Sequence, residues 1–389
     1  MYFTTNQHLY YHYRITEDLY KNAYINHQFL RLTKMKNKFR VALYVIVFFV
    51  TVSCNGKTVE TETEQTNNNQ PLNNKATEIL GPIKSGLSWH SGAWAPGKDG
   101  HTIENINEYE QWLGRKLDLV TSYLNYSGNL SDLNNSGWNV SFQGPDRRLC
   151  IGVPMAGKDI NITQVNNGLA DDIYEKVAKL LVTNGRKNAI LRIGWEADIP
   201  NNWAWHRNVD NCEEYKQAWR RIRNIFYKES KDFKFTFEGS IGSKLAGASD
   251  NEAWLRLGYP GDDVVDLIGC DTYNFYHTKV NADGTGWNTV LNPNSGLGLQ
   301  DVADFARAHK KGFIVPEWGL HGVEGPGDVP QYIQYMYNFF EYNKDIMTAE
   351  CYFNEPDQYI KSALWTDGEE PQNPKSAELY KKLFRKQNK

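Results

Sequence analysis

Glu196 closes the segment Leu191-Arg192-Ile193-Gly194-Trp195-Glu196, and Glu317 lies in Phe313-Ile314-Val315-Pro316-Glu317-Trp318-Gly319. Each sits just past a short apolar run that reads as a buried parallel strand. Each is flanked by tryptophan, and a Gly- or Pro-containing loop follows. Two carboxylates delivered by the ends of two barrel strands are what glycosidic-bond hydrolysis needs. One protonates the leaving oxygen, and the other attacks the anomeric carbon or activates water.

The elements that must hold these acids are legible as alternating apolar runs and helix-period segments. Expected strands are Ser85–His90, Leu117–Tyr123, Arg148–Pro154, Asn188–Gly194, Lys234–Glu238, Val264–Asp271, Gly312–Pro316 and Met347–Phe353. Between them, Asp171–Leu181 gathers Ile173, Val177, Leu180 and Leu181 on one face. Glu213–Tyr227 does so with Trp219, Ile222 and Phe226, and Gln331–Tyr342 with Ile333, Tyr337 and Phe340. Alternation of this kind implies a parallel sheet, and eight units of about 40 residues fit an α/β fold of the (β/α)8 TIM barrel type. The two glutamates, about three units apart, then end the fourth and seventh strands on opposite sides of the barrel mouth. A doubly wound sheet is the rival architecture, but the chain has no G-x-G-x-x-G or Walker pattern.

Three motifs in order resemble family 26 of the glycoside hydrolases, best known for β-mannanases and part of the retaining clan on (β/α)8 barrels. The first runs from Arg192 through Glu196 to the tryptophan-rich loop holding Trp203 and Trp205. The second runs from Tyr259-Pro260-Gly261-Asp262 to Asp271-Thr272-Tyr273, and the third is Pro316-Glu317-Trp318-Gly319. The resemblance covers residues from about Gly81 onward. It implies a retaining endo-β-glycanase with Glu196 as acid/base and Glu317 as nucleophile. Two departures leave the sugar open: Trp195 stands where the mannanases carry histidine, and Asp198–Asn202 forms an insert. Mannan, mixed-linkage glucan, β-1,3-xylan and algal galactan all suit a tryptophan-rich cleft.

On this reading Glu196 must be neutral near pH 7, raised by burial and by its charged partner, while Glu317 stays ionised. Arg192 is expected to point into the barrel beside Glu317, and Tyr273 to donate to the same carboxylate; the plain alternatives are an ordinary ion pair and simple packing. Trp195, Trp203, Trp205 and Trp318 are expected as sugar platforms, with core positions as the alternative. Trp94 and His90 at the first strand end are weaker members of the same set. Asp271 either binds sugar or caps the next helix. Glu238 and Glu355 are further barrel-mouth acids that would replace one of the pair if the strand register differs.

Composition narrows the remaining classes. The chain of 389 residues carries 43 basic and 46 acidic side chains, a charge of −3 that offers no footprint for nucleic acid. Aromatic residues make up 13%, which serves cores and sugar faces alike. Beyond Cys54, Cys150, Cys212, Cys270 and Cys351 show no zinc spacing; no metal or cofactor is implied, and the disulfide state stays open. Met35–Arg40 is a basic n-region, residues 41–50 an apolar h-region, and Thr51-Val52-Ser53-Cys54 a small-residue cleavage site. This resembles a lipoprotein signal with Cys54 as the lipidated residue. Residues 1–34 read as a mis-annotated leader, 35–54 as the signal, 55–78 as a disordered linker and 79–389 as the barrel. The expected product is an exported monomer on the bacterial outer membrane or cell surface, with periplasmic or secreted forms as alternatives. Its partner is a polysaccharide, met by an endo-β-glycanase, a transglycosylase or a non-catalytic glycan-binding lipoprotein.

Overall fold

Runs such as Leu149-Cys150-Ile151-Gly152-Val153 and Phe313-Ile314-Val315 are apolar on both faces, as strands buried between helices and a barrel interior must be. In the computed structural model, which describes residues 75–385 apart from 99, 138 and 140–145, eight such strands close on themselves. They are β1 (His90–Trp94), β2 (Leu119–Tyr123), β3 (Arg148–Val153), β4 (Ile190–Ile193), β5 (Lys234–Ser240), β6 (Leu267–Tyr273), β7 (Gly312–Gly319) and β8 (Met347–Phe353). All neighbours pair in parallel, and β1 pairs with β8. The TIM barrel expected from the alternation is the observed architecture. The leader, the signal with Cys54 and residues 55–74 of the linker lie outside the described residues; residues 75–78 form one helical turn.

Six longer helices cover the barrel: α1 (Ile103–Leu113), α2 (Asp171–Thr183), α3 (Cys212–Glu229), α4 (Leu299–Ala308), α5 (Pro330–Tyr342) and α6 (Pro374–Phe384). Their starts follow local chemistry. Thr102 accepts a hydrogen bond from Asn105 N at the head of α1, Pro330 and Pro374 occupy first turns, and Gly114 ends α1 at φ 80°. The buried stripe of α3 includes Trp219, Ile222 and Phe226, as its period predicts.

Strand alternation sorts the core into two clusters. Leu119, Cys150, Ile190, Leu267, Ile314, Ala349 and Cys351 form an apolar plug inside the barrel, whereas Ile151, Leu191, Phe235, Ile268 and Phe313 face the helices. The four cysteines among the described residues, Cys150, Cys212, Cys270 and Cys351, are free and buried. One expected strand is misplaced. Ser85–His90 is not β1, because Gly86 takes φ 79° and the extended run starts only at His90. Ser91 N then binds Asp118 Oδ2 at 2.9 Å. His90, expected at the mouth, therefore lies at the entry end of β1, 3.8 Å from Asp118 and remote from the strand ends that carry the acids.

Barrel closure also demands a residue without a side chain at Gly269, where a Cβ would fall 2.3 Å from the Ile314 carbonyl oxygen. Gly269→Ala is expected to destabilise the protein by about 1–3 kcal/mol through overpacking against backbone. Urea unfolding midpoints at constant m-value check this.

Candidate active site

Ile190 points into the apolar plug, so the period of two sends Arg192 inward one layer higher. The guanidinium is fully buried there and meets three carboxylates. Its Nε lies 3.0 Å from both oxygens of Glu238 on β5, its Nη2 lies 2.7 and 2.9 Å from Asp271 on β6, and its Nη1 lies 2.6 Å from Glu317 Oε1 on β7. Asp271 is thus neither exposed to sugar nor a helix cap; it is an arginine ligand in the barrel interior. Glu238 is likewise committed to Arg192. Burial holds Asp271 well above, and Glu238 above, the usual carboxylate range, against the pull of Arg192.

Glu317 faces this guanidinium because β7 is irregular. Ile314 is inward, so strict alternation would turn Glu317 out toward the helices. Against β6, however, Gly269 pairs with Ile314 and Asp271 with Glu317, so β7 holds one extra residue across that interval. Pro316 occupies it, a residue that cannot donate to the ladder and favours such bulges. Glu317 is thereby aimed inward. Tyr273 Oη donates to its Oε2 at 2.9 Å, and Tyr123 Oη on β2 donates to its Oε1. Glu317 lies within β7 rather than just beyond it, since the strand runs to Gly319.

The same alternation corrects Trp318. Expected in the cleft, it follows an inward residue and must point outward. It is fully buried against Tyr332, Phe340 and Tyr352, and its indole donates to Glu350 Oε2 at 2.6 Å. Glu350 also accepts from Ser91 Oγ, and burial pushes its carboxyl up to about 7.

Glu196 is placed by a tight turn after β4, with Gly194 at φ 61° and Glu196 itself at φ 53°. A non-glycine residue in this left-handed region carries backbone strain of order 1 kcal/mol or more, a cost concentrated at functional positions. Asp198 anchors the turn: its buried carboxyl accepts from Ser240 N and Ser240 Oγ at the end of β5, both at 2.9 Å. The partly exposed Glu196 carboxyl accepts from Asn202 Nδ2 and Trp203 Nε1, each 2.9 Å from Oε2, leaving Oε1 to carry a proton. Burial first, and the charge of Glu317 second, push Glu196 up to about 8.

The aromatic residues divide by layer. Trp203 is half-buried beside Glu196 and stacks at 5.0 Å on Trp205, which is fully buried and donates to the Trp195 carbonyl at 2.8 Å. Trp205 is therefore a backing for Trp203 and presents no exposed face of its own. Trp195, buried, leans on Trp203 and on Tyr123. Across the mouth, Trp94 stacks on Phe353 and donates to Glu355 Oε2 at 2.8 Å, and burial pushes Glu355 up to about 7. Sequence reasoning missed Tyr123 and Asn202. Tyr123 was findable, because it shares the inward face of β2 with Leu119 and Thr121; nothing in the insert marks Asn202 as a donor to Glu196.

Residues 159–314 match the family model described as glycosyl hydrolase family 26. Over that stretch the chain is similar to family 26. The matched stretch holds Arg192, Glu196, Asp271 and Tyr273 and ends three residues before Glu317. Endoglucanase H of Acetivibrio thermocellus is 26% identical over 289 residues, covering 72% of this chain and 29% of the relative. The chain thus spans less than a third of the length of that relative. The catalytic domain of a family 26 endo-β-1,4-mannanase from Bacillus sp. JAMB-750 superposes with a TM-score of 0.54 at 12% identity, over 76% of this chain and 86% of that one. A family 26 β-mannanase from Bacteroides ovatus gives 0.49 at 16% identity, over 77% and 88%. At these identities the Bacillus likeness speaks to the barrel alone.

The Arg192 cluster generates its own test. Replacing Arg192 with Met strands Glu238, Asp271 and Glu317 in a buried site, and the loss is expected at about 3–5 kcal/mol of folding stability. The deficit shrinks as pH falls and the orphaned carboxylates protonate. Chemical denaturation at neutral and acidic pH reads both effects.

Proposed function

We propose that this barrel is a retaining endo-β-glycanase that cuts β-linked polysaccharide by double displacement. One observation carries the reading: two carboxyls at the barrel mouth sit in opposite environments. Glu317 is gripped by Arg192, Tyr123 and Tyr273, whereas Glu196 is pushed up to about 8 by burial and by the charge of Glu317. A carboxyl pushed up opposite one gripped by an arginine and two tyrosines divides acid from nucleophile.

In the first step Glu196 gives its proton to the glycosidic oxygen as that bond breaks, and Glu317 attacks the anomeric carbon to form a glycosyl ester. Oε2 of Glu317, engaged only by Tyr273 where Oε1 is engaged twice, is the better placed oxygen for attack. In the second step the Glu196 carboxylate takes a proton from water, which attacks the same carbon and restores Glu317. The half-buried Trp203 and Trp94 supply sugar-stacking faces on either side. The similar proteins, an endoglucanase and an endo-β-1,4-mannanase, support a β-glucan or β-mannan substrate class. We further propose export and lipid anchoring through Cys54, a reading supported by the signal-like sequence alone; mass spectrometry of the mature N-terminus tests it.

Reducing-sugar assays on purified protein with a panel of β-glucans and β-mannans test the reaction. Glu196→Gln and Glu317→Gln should each lower kcat by about 100-fold or more while keeping oligosaccharide binding. Full activity in either variant, or binding with no turnover in the parent, would sink the reading. NMR of the first-formed product should give the β-anomer.

The pH profile follows from Glu196. The acid must be protonated, so kcat/KM is expected to fall as pH rises through about 8. Replacing Glu317 with Gln removes one of the charges raising that carboxyl, so Glu196 should titrate lower in the variant, as read by carboxyl carbon NMR. A titration at the same or higher pH would contradict the coupling.

A further inference from the structure

The loop after β6 displays an aromatic ring that the two carboxyls do not use. Tyr276 is 45% exposed and holds φ 48°, a left-handed conformation that a bulky residue keeps only when its surroundings impose it. The surroundings do impose it. Buried Asn274 cinches the loop, accepting from Val280 N at 2.7 Å and donating to the Val280 carbonyl at 3.1 Å. The Asn274 amide extends the ladder to the Gly319 carbonyl at 3.0 Å, and Gly325 packs so closely on the Asn274 carbonyl that a Cβ would approach to 2.0 Å. The loops after β6 and β7 are locked together, and the lock presents the Tyr276 ring.

That ring is also continuous with the candidate site. Tyr273, which donates to Glu317, lies 6.2 Å from Phe275 edge-on, and Phe275 lies 4.4 Å from Tyr276. His321 stacks on Phe275 at 5.1 Å and 5°, and burial lowers its pKa to about 4, so an uncharged ring backs the platform at neutral pH. An apolar aromatic path therefore leads outward from the nucleophile along the β6–β7 rim, on the side of the barrel away from Trp203.

We propose that Tyr276 is a sugar-stacking platform of the β6–β7 rim, binding a pyranose ring of a β-linked glycan beyond the one that reacts. The occupant follows from continuity with the cleft and from chemistry. The exposed face of a fixed tyrosine suits the apolar C–H face of a pyranose, and a rigid ring loses little conformational freedom on binding. The inference rests on the glycanase reading and extends it, because it requires a substrate longer than a disaccharide.

The test measures binding without turnover. Calorimetry in the Glu317→Gln background compares cellobiose, cellohexaose, mannobiose and mannohexaose. Tyr276→Gly removes the ring and suits φ 48° without strain, so folding is protected. It should weaken the better-bound hexaose roughly tenfold, the scale of losing one well-packed aromatic contact, and leave the biose affinity within about twofold. Tyr276→Phe should retain hexaose binding. Tyr342→Ala, which alters an exposed ring at the opposite end of the barrel, should change nothing. Equal hexaose binding with and without the Tyr276 ring overturns the platform and leaves the proposed reaction standing. If the Glu317→Gln protein binds no oligosaccharide at all, both fall.

Discussion

A single guanidinium organises the barrel interior. Arg192 sits above the apolar plug with no exposed surface and draws carboxylates from β5, β6 and β7 onto its Nε, Nη1 and Nη2 atoms. An arginine in that position would be untenable unpaired, and three carboxylates there would be untenable without it. The mutual requirement fixes strand register as well as charge. Glu238, Asp271 and Glu317 reach one planar fork only if β5, β6 and β7 stand in the observed alignment. Burial raises Asp271 and Glu238 against the pull of Arg192, while Glu317 is held by Tyr123, Tyr273 and Arg192.

The acid opposite is built by different means. Glu196 stands on a strained turn, is tied to β5 through Asp198, and receives two donors on the same oxygen. Its elevated pKa comes from burial and from the charge across the mouth, so the two glutamates are one electrostatic system and not two independent groups. The aromatic residues form tiers around that system. Trp205 and Trp318 are packed away, while Trp203 and Trp94 keep partial access and donate to Glu196 and Glu355 respectively.

Much of this was legible before any coordinates. Seven of the eight strands fall where apolar runs and punctuation put them, and the eighth failed because a glycine at positive φ was read through as strand. The inward faces of Arg192 and Tyr273 follow from strand alternation combined with a barrel. The tryptophans were harder, because a tryptophan next to a key acid is equally consistent with either face of a strand.

The sequence by itself determined the class of fold and placed Arg192, Glu196 and Glu317 at the fourth and seventh strands, because apolar periodicity and residue type are local properties. Tertiary structure decided which way side chains face. The extra residue at Pro316 reverses the alternation of β7, turning Glu317 into the barrel and Trp318 out to the helices. A one-residue offset in a period of two is invisible until the neighbouring strand supplies the register against which it is counted.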